Sequence, residues 1–344
     1  MAWRRRQRPV APWQSPLPAV GADEFAHVAG FLGGADMARV GATCLDGRRA
    51  GAAYADDWYR PAGRASVSDR LRVVQRGSRY QNIRFLRTFC DRIVAGGLAL
   101  DGEGNVLVTN IMACSVCVYN KSGVFQRSFG SPSAGDAPQL RRPCGVAVDG
   151  DGSVFVADPW SHRVSVYRPD YSFLRSFGSR GAGDGQLDKP RDVAVDGEGN
   201  VLVADTGNHR VSVFKDGAFV RSFGSEGAAD GQLNRPWGVA VDGEGNVLVL
   251  DWGNRLSRVC MFRPDYSFLR SFGELHSPNA IAVDGEGNVL VTDLRSGVCV
   301  FKDGAFLRSF GSHQLDWAHA VAVDDAGTVF ASGYRNCKVS MFGV

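Results

Sequence analysis

The sequence lacks a long apolar run: Asp, Gly or Arg interrupts each hydrophobic stretch within about eight residues, against the roughly twenty that cross a bilayer. No transmembrane helix is expected. Met1 to Pro16 contains Arg4, Arg5, Arg6 and Arg8 but no acidic residue, and it lacks the apolar centre of a secretory signal. An intracellular protein, cytoplasmic or nuclear, is the expectation, with the Arg-rich start left open between a targeting signal and a basic tail.

Catalytic signatures are also scarce. No Ser-His-Asp order or phosphate-binding loop stands out, and Gly243-Glu244-Gly245 lies in a hairpin turn without the following helix a dinucleotide site needs. Cys114 and Cys117 form a C-x-x-C, but no second pair follows at zinc-ribbon spacing, and strand alternation puts the two on opposite faces. No catalytic residue, metal or cofactor is therefore expected. The eight cysteines read as reduced and mostly buried. His162 and His209 recur in equivalent turns and read as packing residues.

Proline is modest at 14 of 344 residues, whereas glycine is abundant at 43 and 44% of residues are hydrophobic, a globular and turn-rich composition. The net charge of +3 conceals a split: residues 1–84 hold 14 Lys+Arg and 7 Asp+Glu (+7), leaving 25 and 29 (−4) for residues 85–344. A broad basic footprint for nucleic acid is thus not expected over the larger region.

That region is repetitive. DGEGNVLV occurs at Asp101, Asp196, Asp242 and Asp284, with looser copies at Asp149 and Asp324, giving six units spaced by 48, 47, 46, 42 and 40 residues. Such periods suit four-stranded propeller blades. In the third unit the strands are expected at Val193–Val195, Asn200–Ala204, Arg210–Phe214 and Phe219–Phe223, separated by Asp-Gly turns that tolerate positive φ. Arg-Ser-Phe-Gly ends the fourth strand at Arg127, Arg175, Arg221, Arg270 and Arg308.

The sixth unit stops after three strands, at Val339–Phe342, while Phe85–Phe89 stands alone before the first unit. Pairing the two completes the last blade and removes the open sheet edges. The expected fold is all-β, a six-bladed β-propeller over 84–344 closed by its N-terminal strand, preceded by a basic tail (1–16), a small α-helical segment (17–60) and a basic linker (61–83).

PWGVAVDGEGNVLVLDWGNR and KPRDVAVDGEGNVLVADTGNHRVSVF, with the Asn208-His209 pair, resemble NHL repeats. The resemblance covers about three quarters of the chain; it implies the propeller fold and leaves function open. Compared among themselves, the six units vary on one face, that of the loops between second and third strands and between blades. The start of the innermost strand carries in turn Gly96, Cys144, Arg191, Trp237, Asn279 and His319, and these ring the channel mouth. Neighbouring loops add Trp160, Trp252, Arg295, Tyr334, Arg141 and Arg142, residue types enriched at binding hot spots. This face is the candidate site for a protein target.

Residues 23–60 change character, with Phe25, Val28, Leu32, Met37, Val40 and Cys44 at helical intervals. Together with Leu17-Pro18, Arg48-Arg49 and Asp57-Trp58 they are similar to an F-box, although Asp46 to Arg49 stands where an F-box carries a Trp. A helical cap on the propeller is the other reading. The F-box resemblance implies a cullin-RING adaptor as partner, with Leu17, Pro18, Phe25, Val28, Leu32, Met37 and Val40 as the docking residues. The chain would then be a non-catalytic ubiquitin-ligase substrate receptor, expected as a monomer. Tripartite-motif NHL proteins associate such propellers with ubiquitination, but the RING and B-box cysteine framework is missing here. Two alternatives stand beside it: RNA binding, known for some NHL propellers but opposed by the −4 balance, and a metal-dependent enzyme like the NHL-like peptide-amidating lyases, for which His319 and Cys144 make a thin ligand set.

Overall fold

The computed structural model describes residues 79–90, 92–131, 139–253 and 257–344. The basic tail, the F-box-like segment with all seven of its adaptor-docking candidates, and the linker up to residue 78 lie outside the described residues. Within them the chain forms six four-stranded antiparallel sheets and no α-helix, and no helix long and apolar enough to cross a membrane. The blades run 95–129, 146–177, 190–223, 236–275, 278–310 and 318–343, the last joined by Arg84–Phe89.

Ring closure is as the strand inventory requires. Arg84–Phe89 pairs antiparallel with Lys338–Gly343, in a register that sets Phe85 opposite Phe342 and Phe89 opposite Val339. Phe89 then packs edge-on against Phe330 of blade six and near Tyr119 of blade one, so the strand also seals the junction between the first and last blades.

Each blade is built from its hairpin chemistry. In the repeated turn the carboxylate of Asp196 accepts the backbone N–H groups of Glu198 and Asn200 at 2.9 and 2.8 Å, and Gly199 adopts φ +80°, where a Cβ would be strained. The second and third strands carry continuous Val, Leu and Phe and are buried on both sides, because each sheet is covered by a neighbour on either face. The core is accordingly a set of sandwiches between adjacent blades: Leu202, Val211 and Phe223 of blade three, for example, pack on Val239, Val247 and Phe262 of blade four. The fourth strands, such as Phe125–Phe129, form the exposed outer rim.

A two-blade period underlies the six-blade one. Blades two and four end their third strand in Arg-Pro-Asp-Tyr-Ser-Phe, and their tyrosines reach back to the preceding blade: Tyr171 stacks on Phe129 and Tyr266 on Phe223, each with planes 10° apart. Tyr171 Oη also donates to the Asp101 carboxylate of blade one at 2.8 Å. Blade six lacks the motif, and the place is filled from the N-terminal side by a 3-10 turn, Arg79–Asn82. Tyr80 stacks on Phe310 and donates through Oη to Asp284 at 2.9 Å, while Arg308 holds the backbone carbonyls of Tyr80 and Gln81. Residues 79–83, read from sequence as the end of a linker, thus belong to the packed propeller, with Tyr80 fully buried.

Cys117, Cys260 and Cys299 sit in the same third-strand register as Ser165, Ser212 and Ser340, where only a small side chain fits between sheets. Cys90, Cys114, Cys117, Cys144, Cys260 and Cys299 are free thiols.

Candidate functional site

The innermost strands enclose a central channel of about 250 Å³. Its walls below the mouth are Val, Ala, Leu and Ile, so the chemistry lies at the top, in the two layers that open each innermost strand. The upper layer is the ring read from sequence. Gly96, Cys144, Arg191, Trp237 and Asn279 line the cavity. His319 occupies the sixth place behind that lining, with Nδ1 buried and unpartnered among the described residues.

Around this ring the aromatic and cationic side chains form stacked pairs. The Arg191 guanidinium lies 4.0 Å above the ring of Trp237, which stacks in turn on Trp252 at 5.2 Å. Arg142 lies 5.1 Å above Trp160. Tyr334 is 5.3 Å from the imidazole of His319 and 6.5 Å from the indole of Trp317. Of the residues expected here, Cys144, Arg191, Trp237, Asn279, His319, Trp160, Trp252, Tyr334 and Arg142 come together, whereas Arg141 and Arg295 stand exposed at the rim.

The loops are held by a recurrent device. Asp158, Asp205, Asp251 and Asp293, at the ends of the second strands, are buried and accept backbone N–H groups from the inter-blade loop: Arg141 and Arg142 on Asp158, Asp188 on Asp205, Asn234 on Asp251, His276 and Ser277 on Asp293. Arg210 and Arg258 pair with Asp205 and Asp251, each at 2.9 Å. His162 and His209, read from sequence as packing residues, accept through Nδ1 the N–H of Lys189 and Arg235 from the next blade, so both fasten loops. These carboxylates and imidazoles are committed to the scaffold, and it is the side chains between them that vary.

Electrostatically the mouth is cationic. The guanidiniums of Arg142 and Arg191 act on one another and on the same three groups, Cys144, His319 and Tyr334. Burial and these two cations depress the His319 imidazole to about 4, so it is neutral at physiological pH. Burial raises the Cys144 thiol, so the cysteine stays protonated and weakly nucleophilic. Among the described residues no three His, Cys, Asp or Glu side chains converge as metal ligands.

Sequence reasoning passed over two features. Trp317, in the loop before the innermost strand of blade six, carries Arg335 at 3.8 Å over its ring and extends the stacked rim; an Asp-Trp before the first strand was its only sign. The second is Asp192, in the layer beneath the ring, where the other blades have Gly97, Gly145, Gly238, Ala280 and Ala320. It accepts the N–H of Val193 at 2.9 Å and of Val239, across the blade boundary, at 3.0 Å. Gly145 makes room for it, since a Cβ there would fall 2.1 Å from Asp192 Oδ1. Comparing the six units at that one position would have found it.

A closed ring of six four-stranded blades, with a core sandwiched between adjacent sheets and a channel mouth that varies from blade to blade, defines a six-bladed β-propeller. The NHL repeat family model matches residues 140–167, 187–214 and 233–256, in blades two, three and four, so this propeller contains NHL repeats. No curated protein sequence matches it. Among solved structures it resembles a streptogramin B lyase (TM-score 0.57, 12% identity, 78% of this chain and 99% of that one). It likewise resembles a gluconolactonase from Xanthomonas campestris (TM-score 0.56, 18% identity, 73% and 88%). A catalytically inactive virginiamycin B lyase from Staphylococcus aureus with quinupristin is similar too (TM-score 0.53, 12% identity, 75% and 80%). At these identities the likeness is one of fold.

Proposed function

We propose that this propeller is a non-catalytic binding module whose channel mouth holds a protein target, and that it serves as a substrate receptor in ubiquitin-ligase-mediated degradation. The observation that supports the binding role is the contrast between faces. One repeats the same Asp-anchored turn, while the other gathers Arg142 on Trp160, Arg191 on Trp237, and Tyr334 beside His319. Rigid aromatics and guanidiniums give large contact area for little conformational entropy, the usual make-up of an interface hot spot.

The ligase role is supported by the F-box-like segment at 17–60, which would dock a cullin-RING adaptor and leave catalysis to proximity. The test compares the full-length protein with residues 78–344, which retain Tyr80 and the closing strand, by affinity capture from cells and by ubiquitination of captured proteins. Adaptor recovered only with the full-length chain, and targets recovered with both, is the expected result. Equal adaptor recovery with both removes the ligase reading and leaves the binding module.

A further inference from the structure

The two mouth arginines lack what buried-edge arginines usually have. Arg210 and Arg258, on neighbouring loops, each pair with a carboxylate at 2.9 Å, whereas no carboxylate lies within ion-pair distance of Arg142 or Arg191 among the described residues. The nearby acids are already engaged. Asp158 takes two backbone N–H groups and the Ser161 hydroxyl, Asp188 faces His162, and Asp192 takes two backbone N–H groups of its own. Among the described residues the Cys144 thiol is the side chain beside Arg191 that acts on it most. Two cations that repel one another across a partly desolvated mouth are a net cost in the free protein, which an anion would relieve.

Stacking also fixes how such an anion would be met. Trp237 and Trp160, set against Arg191 and Arg142, offer no carboxylate to either guanidinium, whose N–H groups suit an in-plane, bidentate acceptor. Trp237 lines the cavity and Trp160 flanks Arg142, and both rings are suited to the carbon atoms beside a single charged group.

We infer that the channel mouth is a carboxylate-binding cup, in which Arg142 and Arg191 grip the carboxylate of a peptide, either its C-terminus or an Asp or Glu side chain. This rests on the reading of this face as the target site. A peptide is favoured over a nucleic acid because the propeller carries a net −4 over residues 85–344, which opposes a polyanion while leaving one carboxylate easily accommodated.

The probe is a library of random octapeptides made in two forms, with free and with amidated C-termini, panned on immobilised full-length protein. Two variants, Arg191→Gln and Arg142→Gln, are panned in parallel with Arg295→Gln, which removes an exposed rim charge and serves as control. All are first checked for wild-type circular dichroism and melting. Enrichment of free-carboxylate peptides alone assigns the cup to a C-terminus; enrichment of acidic peptides in both forms assigns it to a side chain. In either case a tenfold or greater loss with Arg191→Gln and Arg142→Gln, and none with Arg295→Gln, is expected. Neutral amidated peptides enriched equally by wild type and variants would overturn the cup while keeping the peptide receptor. Enrichment of no peptide, or preferential salt-sensitive retention of an RNA decamer, would overturn both.

Discussion

The Asp192 carboxylate of blade three accepts the backbone N–H of Val239 of blade four at 3.0 Å, and in doing so replaces a threonine. In blades one and five the equivalent tie is made from the second strand. Thr109 Oγ1 accepts Gly97 N–H at 2.7 Å and donates to Cys144 O at 2.7 Å; Thr292 Oγ1 accepts Ala280 N–H at 2.9 Å and donates to His319 O at 3.0 Å. Blade three has Ala204 at that strand position, and the job passes to Asp192. Asp192, the one acid lining the channel among the described residues, is therefore a joint between blades before it is anything else.

The substitution Asp192→Ala should cost about 1–3 kcal/mol, because Val239 loses its acceptor at a packed boundary. Adding Ala204→Thr installs the second-strand hydroxyl of blade five, which ties to the next blade's carbonyl but offers the Val239 N–H no acceptor, and is expected to recover only part of that loss. Urea unfolding of wild type, single and double variants measures it; a double variant no more stable than Asp192→Ala would show that the two ties are not equivalent.

Asp192 also gives stability a pH dependence of known sign. Desolvation raises its carboxyl to about 7, against about 4 in the unfolded chain, so between these values the native state keeps a proton that the unfolded state has lost. Its contribution is full below about pH 4 and is lost as pH rises through 7. Water in the channel screens the charge, so the expected size is about 1–2 kcal/mol. Relative to the Asp192→Ala, Ala204→Thr double variant, wild type should lose ground between pH 4.5 and 7.5; a gap that does not change with pH would mean an ordinary carboxyl.

His319 carries the opposite slope. Its imidazole is depressed to about 4, first by burial and then by Arg191, so the unfolded chain takes up a proton the native state refuses. The contribution is full above about 6.5 and fades as pH falls through 4. An NMR titration should place the His319 midpoint below 5, and Arg191→Gln should move it upward; a midpoint near 6.5 would place the ring in water.

At the other end of the molecule, Tyr80→Phe removes one hydrogen bond to Asp284 and should cost about 1 kcal/mol, while Tyr80→Ala removes the stacked ring and should cost about 3–5 kcal/mol. Deleting residues 1–78 should leave a cooperative melt, and deleting 1–89 should abolish it, because the second deletion removes the strand paired with Lys338–Gly343. Differential scanning calorimetry distinguishes these outcomes.

The fold was legible because its turns repeat. Asp-Gly-Glu-Gly-Asn fixes where each hairpin bends, and a lone strand at one end with a missing strand at the other leaves a single way to close the sheet. The ring of Cys144, Arg191, Trp237, Asn279 and His319 was legible for the same reason, since blades in register expose one position each to the mouth. Pairing was not. Nothing in the order of residues says that Arg191 lies over Trp237 of the next blade, or that Asp192 and Ala204 trade roles with Gly97 and Thr109, because those relations run across blade boundaries. Tyr80 escaped notice because it is one aromatic in an Arg-rich stretch, and its likeness to Tyr171 and Tyr266 lies in what it touches, not in the residues beside it.

That buried tyrosine changes what happens when something pulls on the protein. Tension applied to the chain ahead of Arg79 is directed at the seam where Arg84–Phe89 is zipped to Lys338–Gly343. Tyr80, clamped between Phe310 and Asp284 with Arg308 over its carbonyl, meets that tension first and diverts it into blade five. It works as a strain relief does on a cable: a pull from the N-terminal side is borne by blade five before it reaches the zipped seam.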